Sequence, residues 1–394
     1  MEKNIYKQIS EERWNKNLIS YRKQIEDGTF KEEQIEDFLS DVFVNKSFFE
    51  PFDHKDNYDK LREVLPKLRP ALAKYFKCSE DEIYIGDIYN PIKEELDFPY
   101  VAVLGNLNGR ELKSADKLKF IGGNADFSKS EFKSLNSLTT IGGDADFSKS
   151  RIEDLSSLKI IGGNADFKSS SIKNLGSLLL IGGNADFRFS HINNLSSLKT
   201  IYGDADFYES TVDNLSSLTT IERNADFRFS YIDNLSSLTT IYGDANFFGS
   251  KINGKNSLTT IGGDANFDES QFEDLSSLTS IGSYLAINEK QLLSLKKLNN
   301  VGSKIYLGPY EFFYNAKNNI PLEECLKQKT EEIKLLKERA KLSKVLSGKQ
   351  IQERKNKGLQ EAKQKNQAKQ TRQFIQKIFS EKTGHTNNDG DRKL

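Results

Sequence analysis

Ile161 to Leu180 reads I-G-G-N-A-D-F-K-S-S-S-I-K-N-L-G-S-L-L-L, and Ile181 begins the same phrase again. Rows set at Ile121, Ile141, Ile161 and Ile181 stay in register without a gap to Ser280. They give about eight copies of I-G-G-[N/D]-A-[D/N]-F-x-x-S-x-[I/F/V]-x-x-L-x-S-L-x-x. A fixed period of about 20 residues implies a solenoid, because so short a unit can bury its apolar side chains only against its neighbours.

Within one copy, Ala165 and Phe167 alternate with Asn164 and Asp166, the period of a short strand with one buried face. From Ile172 through Leu175 and Leu178 to Ile181 the step is three. That fits a polyproline or 3₁₀-like return path and leaves no room for an α-helix. Each copy therefore predicts one coil: a strand, a turn at the serine, and an irregular convex side. The serine column (Ser130, Ser150 and on to Ser270) has no exception in these copies. Its hydroxyls are expected to satisfy backbone groups between successive coils, or simply to fit a tight turn.

The string A-x-F-x-x-S-x-I-x-x-L resembles the L-x-L-x-x-N-x-L core of leucine-rich repeats, with Ser170 and its equivalents in the Asn place. The short unit is similar to the bacterial class of about 20 to 22 residues. The likeness covers Ile121 to Ser280 and extends, weakened, over Val101–Phe120 and Ile281–Leu307. It implies a leucine-rich-repeat rod with a parallel β-sheet; with the helical spacing found at both ends of the chain, the expected fold is an α+β solenoid with a helical N-terminal domain and a helical C-terminal cap and tail. A pentapeptide repeat fits less well, since the five-residue step after Ile172 lands on Ser177 and Gly182. Calcium-binding nonapeptide repeats need a period of nine, which is missing.

The 394 residues carry 57 basic and 57 acidic side chains, so overall charge points to no partner; the last seventy-odd residues, however, hold about +9. Two cysteines, Cys78 and Cys325, make no disulfide framework and suit a reducing compartment. The chain has no apolar run of transmembrane length, and Met1–Ser20 lacks a signal-peptide core. A soluble, cytoplasmic protein is expected, with export by a specialised secretion system as the alternative.

Outside the repeats, Trp14, Leu18, Tyr21 and Ile25 predict a helix stopped at Gly28. Thr29 and Glu32 read as a capping box for a second helix through Ile35, Phe38, Leu39, Val42 and Phe43. A third spans Asn57–Phe76, kinked at Pro66 and Pro70. Residues 1–97 thus form a helical domain expected to cover the open first coil, and residues 98–310 the solenoid. A capping helix over 321–346 uses Leu322, Leu326, Ile333, Leu336 and Ala340. A basic, partly disordered tail over 347–394 contains the apolar island Phe374–Phe379 and a loose end from Gly384.

No catalytic constellation is present. His54, His191 and His385 lie in no metal-ligand spacing, the cysteines have no nucleophile signature, and the Gly-Gly pairs precede strands instead of opening helices. No cofactor or metal site is expected. Two columns are fixed as Asn/Asp, one running from Asn124 to Asp264 and one from Asp126 to Asn266. They read either as side chains bonding turn backbone or as an acidic ladder for a cation or basic partner.

A third column varies: Ser128, Ser148, Lys168, Arg188, Tyr208, Arg228, Phe248, Asp268. Beside it stand Phe189, His191, Phe229 and Tyr231, and Tyr202, Glu222, Arg223 and Tyr242 replace glycines in the same coils. Arginine and aromatic side chains are enriched where protein interfaces bind tightly. Arg188, Phe189, His191, Tyr208, Arg228, Phe229, Tyr231 and Phe248 are therefore the candidate partner-binding residues, holding a protein ligand on the concave face of a non-enzymatic scaffold. An effector or mobile-element protein with an N-terminal activity is the alternative. A third reading gives the basic tail weak contact with nucleic acid or an anionic surface.

Overall fold

The computed structural model describes residues 10–48, 55–89 and 98–382, apart from 111, 113, 132, 133, 255, 256, 273, 309, 310 and 319. The chain falls into two compact units, Met1–Lys327 and Gln328–Leu394. The expected loose end from Gly384, and His54 and His385, lie outside the described residues.

The repeats form a parallel β-solenoid in which every coil pairs with the next at an offset of 20 residues, as in Ala165 opposite Ala145 and Ala185. Each coil has more sides than the sequence predicts. Among the described residues there are two sheets of twelve strands and a third of six. In one coil the first sheet takes Thr140–Ile141, the second Ala145–Asp146 and the third Arg151–Ile152. The expected irregular convex side thus holds short strands over much of its length. A three-residue step leaves every third side chain pointing inward, and two residues of extended backbone fit between such positions.

The interior is built as the spacing requires. Ile161, Ala165, Phe167, Ile172, Leu175 and Leu178 are all at most 2% exposed. Phe147, Phe167, Phe187, Phe207, Phe227, Phe247 and Phe267 stack nearly face to face, with ring centroids 4.7–5.3 Å apart. That spacing is set by the separation of the paired strands.

The serine column works within a coil and not between coils. Ser170 donates its hydroxyl to the Phe167 carbonyl at 2.6 Å, and its N–H reaches the same oxygen at 3.0 Å. The bond recurs from Ser130 to Ser270. It closes a tight turn whose third residue has positive φ (Ser169 at 56°, Phe189 at 57°, Gly249 at 65°). A left-handed residue is costly for L side chains, and the doubled bond to one carbonyl offsets that cost.

The N-terminal region contains α1 (Glu11–Glu26), α2 (Ile35–Leu39), α3 (Lys55–Val64) and α4 (Arg69–Phe76). Helix α1 buries Trp14, Leu18, Tyr21 and Ile25 and ends at Gly28, with φ 69°. The predicted Thr29–Glu32 box is replaced by Gln34, whose side chain accepts the Lys31 N–H at 2.9 Å. The predicted proline kinks coincide with a 3₁₀ turn over Leu65–Leu68 that joins α3 to α4.

This region does more than cover the first coil. Strand Ile83–Tyr84 pairs with Ala102–Val103 and so extends the first sheet by one. Phe43 and Phe76 lie against Phe120, with centroids 5.7 and 5.9 Å apart, and Val44 shares a cluster with Ile160 and Leu180. Phe120, Ile160 and Leu180 are outward positions of the first sheet, so the helical layer runs along its face for several coils. Past Leu180 the column is polar throughout, as Thr200, Thr220, Thr240 and Thr260, whereas within the covered stretch only Thr140 is polar. Gly122 and Gly142 mark the close approach, since a Cβ at either would fall within 3.0 Å of Phe43.

At the far end, α5 (Glu289–Ser294) buries Gln291, whose side-chain amide donates to the Phe267 and Phe272 carbonyls and to Ser270 Oγ at 2.9–3.1 Å. The second sheet closes with an antiparallel strand, Glu311–Asn315, against Lys304–Leu307. Helix α6 then runs unbroken from Leu322 to Lys382. Leu336 and Ala340, expected on a buried capping face, are exposed, as are the described side chains from Lys334 to Gln373. The side chains of Phe374–Phe379 lie outside the described residues. No described helix is long and apolar enough to cross a membrane.

Candidate interaction surface

Both fixed Asn/Asp columns are occupied by backbone. In the first, each Oδ1 accepts the N–H of the residue one coil on: Asp144 from Asn164 at 2.7 Å, Asn164 from Asn184 at 2.8 Å. The chain of bonds begins in the N-terminal strand region, where Asp87 takes the Asn106 N–H, and ends at the N–H of Tyr284. In the second column each Oδ1 accepts the N–H two residues ahead, as Asp166 does from Lys168 at 2.8 Å. Asn and Asp serve equally because only one oxygen is needed. A further column, Asp154, Asn174, Asn194, Asn214 and Asn234, caps the next turn in the same way. Among the described residues no cluster of His, Cys, Asp or Glu is arranged to hold a metal ion.

The second column still stacks carboxylates at strand spacing, and the electrostatics differ from coil to coil. Burial, together with the neighbouring carboxylates, raises Asp166 and Asp206 above the ordinary carboxylate range. For Asp126 burial acts in the same direction, but hydrogen bonds from Arg110 and Ser128 outweigh it and hold the carboxyl low. Arg110 approaches Asp126 as a fork, at 2.9 and 2.7 Å.

The candidate residues divide by this geometry. Arg188 donates Nε to Asp186 at 2.9 Å and lies 3.4 Å from Asp206; Arg228 donates Nε to Asp226 at 2.9 Å. Hydrogen bonding to Asp186 and Asp226 keeps both guanidiniums protonated more firmly than usual. These arginines neutralise the chain's own carboxylates, so they are less available to a partner than residue type alone suggests.

Phe189, Tyr208, Phe229 and Phe248 interlock edge to face across four coils, with centroids 5.5, 5.9 and 5.6 Å apart. Even so packed, Phe189 and Phe229 remain 48% and 49% exposed. Arg228 lies over the Tyr208 ring at 5.2 Å. This strip runs along the corner where the second sheet turns into the third, and not across the middle of one concave sheet. His191 and Tyr231 begin third-sheet strands beyond that corner, where Lys251 lies 5.1 Å over the Tyr231 ring.

Sequence reading missed how the strip continues. From Phe248 it opens into a groove of about 500 Å³ lined by Asp268, Tyr284, Tyr306, Ser303 and Lys304 among others. Tyr284 and Tyr306 meet edge to face at 5.9 Å. Asp268 ends the variable column, but Tyr284, Ser303, Lys304 and Tyr306 fall where the repeat decays, so no column announces them. Tyr202 and Tyr242 lie on the opposite edge; Tyr202 packs on the Val44 cluster, whereas Tyr242 is 58% exposed. The paired departures at the two edges therefore serve different neighbours.

Comparison with protein-family models, with curated proteins and with solved structures finds no match for the chain.

Proposed function

We propose that this chain is a non-enzymatic interaction scaffold of the leucine-rich-repeat kind, binding a protein partner along the corner strip from Phe189 to Phe248. One observation carries the reading. Two phenylalanine rings stay half exposed on a rigid stack whose other phenylalanine column is wholly buried. Exposed apolar rings cost solubility, and contiguous ones on a rigid support mark interaction surfaces. The leucine-rich-repeat kinship rests on the A-x-F-x-x-S-x-I-x-x-L phrase and on coils of about 20 residues.

The test is a pull-down from lysate with wild type and a Phe189, Phe229, Phe248 to Ala variant of matched melting curve. Partners lost only in the variant support the strip as the working surface. An unchanged set of partners sinks it. A second reading, weak attachment to nucleic acid or an anionic surface, rests on the exposed lysines and arginines of α6. Retention on anionic vesicles or DNA that disappears at high salt and on Lys→Gln substitution in α6 is its signature.

A further inference from the structure

We propose that the partner segment held by the corner strip is basic and extended, a lysine- or arginine-rich stretch of polypeptide laid along the solenoid axis. The inference rests on the reading of the strip as a protein-binding surface and adds the chemistry of what it binds.

Three observations point to cations. Between Asp186 and Lys304 the second sheet and its flanking turns carry ten carboxylates (Asp186, Asp204, Asp206, Glu209, Glu222, Asp226, Asp244, Asp264, Asp268 and Glu269) against four cations, Arg188, Arg223, Arg228 and Lys304. Two of those cations are bonded to Asp186 and Asp226, which leaves the sheet and its turns with a surplus of carboxylate. The chain also shows what its rings accept. Arg228 over Tyr208 on the strip, and Lys251 over Tyr231 just beyond it, are cation–π contacts made by the protein's own side chains. Third, the groove beyond Phe248 sets Tyr284 and Tyr306 beside Asp268, an aromatic wall with a carboxylate at its edge.

Geometry favours an extended chain. From Phe189 to Tyr306 the strip crosses six coil-to-coil steps of about 4.8 Å, or roughly 29 Å, the length of about nine residues of extended polypeptide. Other polymers fit less well. Nucleic acid would bring phosphates to a surface already rich in carboxylate. A glycan stacks on coplanar ring faces, but these rings alternate edge to face at 80–89°.

Calorimetric titration of the full chain with a peptide of about twelve residues alternating Lys and Leu tests this, with a Glu/Leu peptide, an oligonucleotide and an oligosaccharide as comparison arms. The Lys/Leu peptide should bind, lose at least tenfold in affinity between about 0.1 and 0.5 M salt, and lose about tenfold in a Phe229→Ala/Phe248→Ala variant. An Asp144→Asn variant, outside the strip, controls for general charge. Binding of the Lys/Leu peptide that the two-ring variant leaves unchanged overturns the proposal. So does binding of any comparison arm that the two-ring variant abolishes. Either result leaves the pull-down to decide by itself whether the strip binds protein.

Discussion

Asp166→Asn should make this protein more stable. The carboxylate sits between Asp146 and Asp186 on neighbouring strands about 4.8 Å apart, at the edge of the second sheet. Both neighbouring carboxylates repel it, Asp186 the more even though Arg188 is bonded to it. Two exposed charges at that spacing repel by about 0.9 kcal/mol in water, and salt removes roughly half. Partial burial adds a further penalty on the charge. Asn keeps the one bond that matters, because its Oδ1 can accept the Lys168 N–H as Asp166 does at 2.8 Å. The protein already does this elsewhere: Asn246 and Asn266 occupy the same column and take the N–H groups of Phe248 and Asp268 at 3.1 and 3.0 Å.

The expected gain is about 0.5–1 kcal/mol at pH 7, read as a higher urea midpoint by circular dichroism. The pH dependence carries the sign. Burial first, and the neighbouring carboxylates second, raise Asp166 in the folded state, so its ionised form weakens the fold at neutral pH. That penalty fades as pH falls through the raised value and is gone below the unfolded value near 3.9. Wild type and variant should therefore converge near pH 3. A variant no more stable at pH 7, or one whose advantage persists at pH 3, refutes the reasoning.

Asp126→Asn should act the other way, losing about 0.5 kcal/mol at neutral pH through its Arg110 fork; because that carboxyl is held low, the loss should vanish in acid in a paired urea titration. Phe207→Ala, in the buried stack, should cost about 3–5 kcal/mol, while Phe229→Ala at the half-exposed corner costs about 1 kcal/mol or less, as compared by denaturant midpoints. Gln291→Ala should cost about 1–3 kcal/mol, because it removes the amide that serves the Phe267 and Phe272 carbonyls; hydrogen exchange should rise first in the coil from Phe267 to Phe272. Ile160→Asn should free the N-terminal layer from the first sheet, with faster exchange in α2 and unchanged protection at Phe207.

Much of the coil was legible because a repeat compares itself. A position that is apolar in every copy, or in all but one as in the Leu175 column with its Lys255, is an inward position, and Ile161, Ala165, Phe167, Ile172, Leu175 and Leu178 are all buried. The Asn/Asp columns were legible as turn-bonding side chains for the same reason. The third sheet was not, because Ile172 has the polar Ser170 two places before it and a step of three to Leu175 after it, so no apolar alternation marks strands such as Ser171–Ile172. Their pairing exists only once coils stack. Of the two readings of the serine column, the tight turn is the one the bonds show; a column shows that a hydroxyl is wanted but not whether its acceptor lies in its own coil or the next.

Residue types alone also overstated the arginines. Arg188 and Arg228 look like binding side chains in a list, but each has an aspartate two residues earlier, and the turn folds the guanidinium back onto it. The local sequence contained that signal. The groove beyond Phe248, by contrast, joins Asp268 of the last clear copy to Tyr284 and Tyr306, where the repeat has decayed, and only the fold brings them together.

By itself, then, the sequence determined the solenoid, its period, its inward columns and the rings that stand out from it. These follow from periodicity, which is a property of neighbouring residues. The tertiary structure alone decided the number of sheets and the path of the helical layer along Phe120, Ile160 and Leu180. Those depend on residues 20 or more apart meeting in space, where hydrogen-bond geometry and burial choose among partners that the linear pattern leaves equivalent.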